Sequence, residues 1–147
     1  MTEKAEAGGV EVELDDANEL VWRNVNPGFL DNGVLSSQAF RPTPKDKSKL
    51  SGARQAKVSA EKHFHEFTTE LNLSSAGVWA VSVAEANAQD VRCVYDAEAA
   101  TRPPDPCPAG HTYFDFQPHG TGARKRISRV LSDKAAARGC QHSRPEE

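Results

Sequence analysis

Residues 78 to 83 read Val-Trp-Ala-Val-Ser-Val, with one small hydroxyl among five apolar side chains. A run that is apolar on both alternating faces predicts a β-strand covered on both sides, at the centre of a sheet. Its exit is marked as well. Ser82-Val83-Ala84-Glu85 has the spacing of a capping box, in which the serine hydroxyl accepts from the backbone N–H three residues on and the glutamate reaches back. A short helix to about Ala88 follows, and Val91 to Tyr95 returns as a further strand.

The remaining elements group around that unit. Leu20 to Val25 reads as a short strand stopped by Asn26-Pro27-Gly28, and Asp31-Asn32-Gly33 is turn chemistry ahead of an extended segment from Val34 to Phe40. Ser59 is a helix N-cap, with Ala60, Phe64, Phe67 and Leu71 on one stripe that should be buried. His111 to Gln117 alternates, Thr112, Phe114 and Phe116 one way and His111, Tyr113, Asp115 and Gln117 the other, which predicts a half-buried strand. A last helix from about Gly122 to Arg138 buries Ile127, Val130, Leu131 and Ala135 and stops at Gly139. Two stretches read as connections: Arg41 to Lys57, nearly devoid of apolar residues, and Asp96 to Gly110, stiffened by Pro103, Pro104, Pro106 and Pro108. At 147 residues there is room for one core. The expected fold is therefore α+β, a small mixed or antiparallel sheet packed by two main helices over residues 20–140.

Charge is segregated along the chain. Residues 1–19 carry seven carboxylates against Lys4 alone, a composition that predicts a disordered acidic tail, with an edge strand through Val10, Val12 and Leu14 as the lesser alternative. Residues 141–147 read as a second, flexible tail. The segment 41–57 holds Arg41, Lys45, Lys47, Lys49, Arg54 and Lys57 against Asp46, and the last helix holds Arg124, Lys125, Arg126, Arg129, Lys134 and Arg138 against Asp133. Brought together, these cations form a field suited to an acidic protein or nucleic acid, unless they are solvated separately or screened by the acidic tail. No apolar run approaches the ~20 residues of a membrane span, and the acidic N-terminus does not resemble a leader, so the cytoplasm is the expected compartment.

Chemistry-bearing patterns are few. Arg23 sits in an otherwise apolar strand, so it either faces water from an edge or points into a site. With Ser36, Ser37, Arg41, His111 and Tyr113 it forms a candidate set for phosphate chemistry, in which the arginines hold the anion and His111 or Tyr113 assists proton transfer. His63 and His65, two apart on a helix, point in different directions and are expected to flank Phe64. Cys93, Cys107 and Cys140 lie at wide, irregular spacing that favours reduced thiols over a disulfide framework or a zinc site, and neither metal nor cofactor is implied.

Arg-Asn-Val-Asn-Pro-Gly-Phe at residues 23–29, SSQAFRPTPKD at 36–46 with Leu50-Ser51, and GVWAVSVAE at 77–85 resemble a family of small uncharacterised bacterial proteins over residues 22–139. The resemblance implies a bacterial, cytoplasmic protein and transfers no activity. An arginine on an early strand, serines after a turn and a later His-x-Tyr strand also resemble ADP-ribosyltransferase-type folds, although the glutamate of that pattern has no counterpart in context. Two functions follow as expectations. The first is a non-enzymatic accessory or regulatory protein that binds an acidic partner through Arg41, Lys45, Lys47, Lys49, Arg54, Arg124, Lys125, Arg126 and Arg129. The alternative is a small enzyme acting on a nucleotide or another phosphate-bearing substrate through Arg23, His111 and Tyr113.

Overall fold

The computed structural model describes residues 3–5, 11–42, 48–96 and 110–143, the first of these as backbone only. The strands are β1 (Glu3–Ala5), β2 (Glu11–Leu14), β3 (Leu20–Val25), β4 (Leu30–Asp31), β5 (Val34–Leu35), β6 (Lys49–Arg54), β7 (Gly77–Ser82), β8 (Arg92–Asp96) and β9 (His111–Asp115). The helices are α1 (Ala60–His65), α2 (Val83–Asn87) and α3 (Thr121–Arg138). Seven strands form one sheet in the order β1-β2-β8-β9-β6-β3-β7, and β4 with β5 forms a separate hairpin. Every pairing is antiparallel. The fold is α+β, with the sheet antiparallel throughout.

Register assigns the side chains to two layers, because residues paired across an antiparallel ladder point the same way. Val21, Arg23 and Val25 share a face with Trp79 and Val81, and through β6, β9 and β8 with Leu50, Phe114 and Cys93. Ile127, Leu131 and Ala135 of α3 and Phe40 complete that core, and full burial of a side chain such as Leu131 contributes about 2 kcal/mol. The opposite face carries Trp22, Ala53, Val78 and Ala80, which pack with Val58 and with Phe64 of α1.

Local signals hold where they were strongest. Ser59 accepts from the Lys62 amide, both halves of the Ser82–Glu85 capping box form, and Asn32 and Gly33 take positive φ in the β4–β5 turn. Tertiary context overrides four other expectations. First, β7 is apolar on both faces yet ends the sheet instead of centring it; its outer edge is covered by residues 141–142, where the Val78 amide donates to the His142 carbonyl and the Gln141 amide to the Val78 carbonyl. The C-terminal tail expected from residue 141 is thus docked through His142. Second, the acidic segment expected to be disordered supplies β2, which pairs with β8 and buries Leu14. Third, the long basic loop contains an interior strand, β6, whose Leu50 and Ala53 are fully buried. Fourth, α1 changes to π-helical geometry over Glu66–Glu70. The wider turn rotates the end of the helix, so Phe64 stays buried while Leu71 comes out 39% exposed. Pro103, Pro104, Pro106, Pro108 and Cys107 lie outside the described residues.

Candidate functional site

The expected cationic surface divides into cations held by the fold and cations left in solvent. Arg54 is on the α3 face of β6, where Nε and Nη2 donate to the two carboxylate oxygens of Glu19 at 3.0 and 2.8 Å. Both side chains are about 5% exposed. A guanidinium so enclosed is a buried half of an ion pair, and Arg54 leaves the partner-binding set. Arg124 is also engaged, donating from Nε to the His119 carbonyl at 2.6 Å and from Nη2 to Ser48 Oγ at 2.7 Å. Arg41 donates to Ser37 Oγ. Lys49 places its ammonium 5.0 Å from the Tyr113 ring, on the sheet face opposite α3. Lys45 and Lys47 lie outside the described residues. The two basic segments therefore touch at Ser48–Arg124, while Lys49 and Arg54 point elsewhere.

Acidic residues of the N-terminal segment neutralise particular cations. Glu13 lies 3.5 Å from Arg92, which also pairs with Asp115 at 2.9 Å, and Glu19 holds Arg54. On α3, Arg138 is held by Glu85. Lys125, Arg126 and Arg129 are exposed at i, i+1 and i+4, and among the described residues their side chains make no ion pair or hydrogen bond. The helix adds to their field. Its N-cap is Gly120 without a side-chain cap, its first turn has no acidic residue, and the unpaired amides carry the positive end of the dipole.

A second feature arises where the sheet opens. β3 pairs with β6 only at Val21↔Arg54 and Trp22↔Ala53, although β3 continues along β7 to Val25 and β6 continues along β9 to Lys49. Arg23 stands in the opening and ties its sides together, donating from Nε to the Ala39 carbonyl at 2.6 Å and from Nη1 to the Ser51 carbonyl at 2.8 Å. By register Arg23 and His111 belong to opposite faces, yet both line the resulting cleft of about 210 Å³, with Asn24, Ser51, Gly52 and His63. Phe67, Leu71 and Leu73 form its apolar wall. No carboxylate is among these lining residues.

His63, at 5% exposure, is the most constrained of them. Its Nδ1 is buried without a hydrogen-bond partner among the described residues. Burial first, then the charges of His111 and Arg23, lower the imidazole pKa from the ordinary 6.5 to about 4. Between those values the unfolded chain binds a proton here that the folded protein does not, so this site makes stability rise with pH across that window. At 1.36 kcal/mol per unit, the contribution present above pH 6.5 and mostly lost by pH 4 is about 3 kcal/mol. Denaturant unfolding at a series of pH values checks this: His63→Gln should flatten the slope between pH 6.5 and 4. A slope unchanged in the variant assigns the pH dependence to other groups.

Tyr113 shares its sheet face with His111 as expected, but its hydroxyl donates to Glu11 Oε1 at 3.3 Å, and it does not line the cleft. Burial and then the Glu11 carboxylate push its phenol up to about 12. Sequence reasoning missed His63, although positions 60, 63, 64 and 67 are one helical stripe and place it beside Phe64 in the core. Among the described residues no group of three His, Cys, Asp or Glu side chains gathers to hold a metal ion, and no helix is long and apolar enough to cross a membrane. No family model matches the chain, and neither a curated protein nor a solved structure is significantly similar to it.

Proposed function

We propose that the chain is a binding protein whose α3 surface, centred on Lys125, Arg126 and Arg129, engages an anionic macromolecule, a nucleic acid or an acidic protein. One observation carries this reading: Arg54, Arg92 and Arg138 are paired within the molecule, whereas these three are exposed and form no ion pair among the described residues. Three like charges within about one helical turn repel one another, at a few tenths of a kcal/mol per i,i+4 pair. A bound anion relieves that repulsion. Arg41, Lys45, Lys47 and Lys49 extend the surface only as far as the Ser48–Arg124 contact brings their segment to α3. The alternative, an enzyme acting on a nucleotide or other phosphate-bearing small molecule, keeps Arg23 and His111 at one cleft but loses Tyr113, and is the weaker reading.

Salt dependence is the test. Titrating a labelled single-stranded oligonucleotide and a poly-glutamate peptide into the protein at several salt concentrations measures how many ions are released on binding. For the single-stranded nucleic acid, three cations predict a slope of log K against log salt of about −2, or roughly a twenty-fold loss from 50 to 200 mM. The same steepness with the peptide alone identifies a protein partner. A flat response with both probes contradicts the reading.

A further inference from the structure

The opening between β3 and β6 has the composition of a ligand site that the macromolecular reading does not use. Part of its lining is polar: His63 and His111 bring imidazoles, the exposed Ser51 a hydroxyl, Asn24 an amide, and Arg23 a positive charge. His111 Nε2 is 3.5 Å from Ser51 Oγ, at the limit of a hydrogen bond. The His63 ring, 95% removed from solvent, makes no side-chain hydrogen bond among the described residues. A buried polar ring without a partner is a standing cost of folding unless a ligand supplies the missing bond.

The apolar part of the lining is unusually exposed. Leu71 and Leu73 are 39% and 49% exposed, two of three large hydrophobic side chains so exposed among the described residues, and both lie on the rim beside Phe67. The chain is directed there by the π-helical turn over Glu66–Glu70 and by Asn72, whose φ of 56° reverses the backbone between the two leucines. Two leucines facing water at the mouth of a polar-ended cleft give up burial that an apolar ligand body restores. Charge selects the other end of the ligand. Among the described lining residues are an arginine and two imidazoles and no carboxylate, a set of hydrogen-bond donors that suits an anionic head.

We infer that this cleft binds a small monocarboxylic acid with an apolar body, its carboxylate between His63, His111 and Arg23 and its hydrocarbon against Phe67, Leu71 and Leu73. The volume, about 210 Å³, has room for a small ligand and not for a macromolecule. Proton linkage sharpens the expectation. The charged and titratable groups that act on His63 are Arg23 from β3 and His111 from β9; an anion placed among them raises the imidazole's proton affinity, so binding takes up a proton and tightens as pH falls from 8 toward 6.

The full chain, labelled with ¹⁵N, is titrated with hexanoate, 1-hexanol, hexylammonium and hexyl phosphate. Hexanoate should move the amides of Asn24, Ser51, His63 and Phe67 and bind at least ten-fold more tightly than the alcohol or the amine. Leu71→Ser with Leu73→Ser, both at exposed positions and so compatible with folding, should weaken hexanoate at least five-fold. The α3 variant K125Q/R126Q/R129Q should leave it unchanged, which separates this site from the α3 surface. The inference is overturned if the amine or alcohol equals hexanoate, if hexyl phosphate binds more tightly, if the rim variant has no effect, or if no probe moves those amides.

Discussion

In chemical denaturation at neutral pH, Glu19→Gln unfolds about 3 to 5 kcal/mol more easily than the parent chain. The substitution keeps the shape of the side chain and removes its charge. It takes the bidentate carboxylate away from the Arg54 side chain, which is 6% exposed. The Ala56 amide loses a charged acceptor as well. The Arg54 guanidinium also lies 5.1 Å from the Tyr95 ring, which offers weak compensation compared with a carboxylate. Replacing both members, Glu19→Leu with Arg54→Met, removes the buried guanidinium along with its carboxylate and should recover part of the loss. A deficit below about 1 kcal/mol for Glu19→Gln would place the pair with ordinary surface ion pairs and would contradict its burial.

Gly52→Val costs more than the roughly 3 kcal/mol usual for an overpacked core, and we expect the variant to accumulate poorly in folded form. A Cβ at position 52 would come 2.6 Å from the Trp22 carbonyl oxygen and 3.1 Å from Val21 Cγ1. The first of these is backbone in the neighbouring strand, so rotamer changes do not relieve it. The two paired positions of β3 and β6 adjoin this glycine, so pushing the strands apart there breaks the last ladder contacts before the cleft. Thermal unfolding against Gly52→Ala separates the causes: the alanine meets the same carbonyl, and the extra loss in valine reports its branches. Near-parental stability in both would mean that β3 and β6 do not approach as described.

Legibility in the sequence followed the range of the interactions. The capping box at Ser82, the Ser59 cap and the Asn32-Gly33 turn depend on residues within a turn and were readable, as was the existence of β9; its alternation pointed to a half-buried strand, whereas Tyr113 and Asp115 are buried as well as Thr112 and Phe114. β6 was not. Its residues Lys-Leu-Ser-Gly-Ala-Arg include no β-branched or aromatic side chain, and it is a strand because partners on both sides supply the ladder. Arg54 read as a surface cation because its carboxylate is 35 residues away in sequence. The same holds for the acidic segment, where Glu11, Glu13 and Glu19 each find a distant partner and so permit β2 to order. Within the site, Arg23 and His111 were identified, but what unites them is a mismatch between two strand registers, which no local pattern encodes. The position of Lys125, Arg126 and Arg129 was legible from the helical stripe, because exposure on an amphipathic helix is a local property.

Charge removal by location tests the binding reading most directly. Anisotropy titrations of the anionic probe that binds the parent chain, at one low salt concentration, compare K125Q/R126Q/R129Q with K57Q/K62Q, which removes two exposed cations outside α3. The first variant should lose at least ten-fold in affinity and the second less than two-fold. Equal losses per charge removed would show that overall charge, and no surface on α3, governs the association.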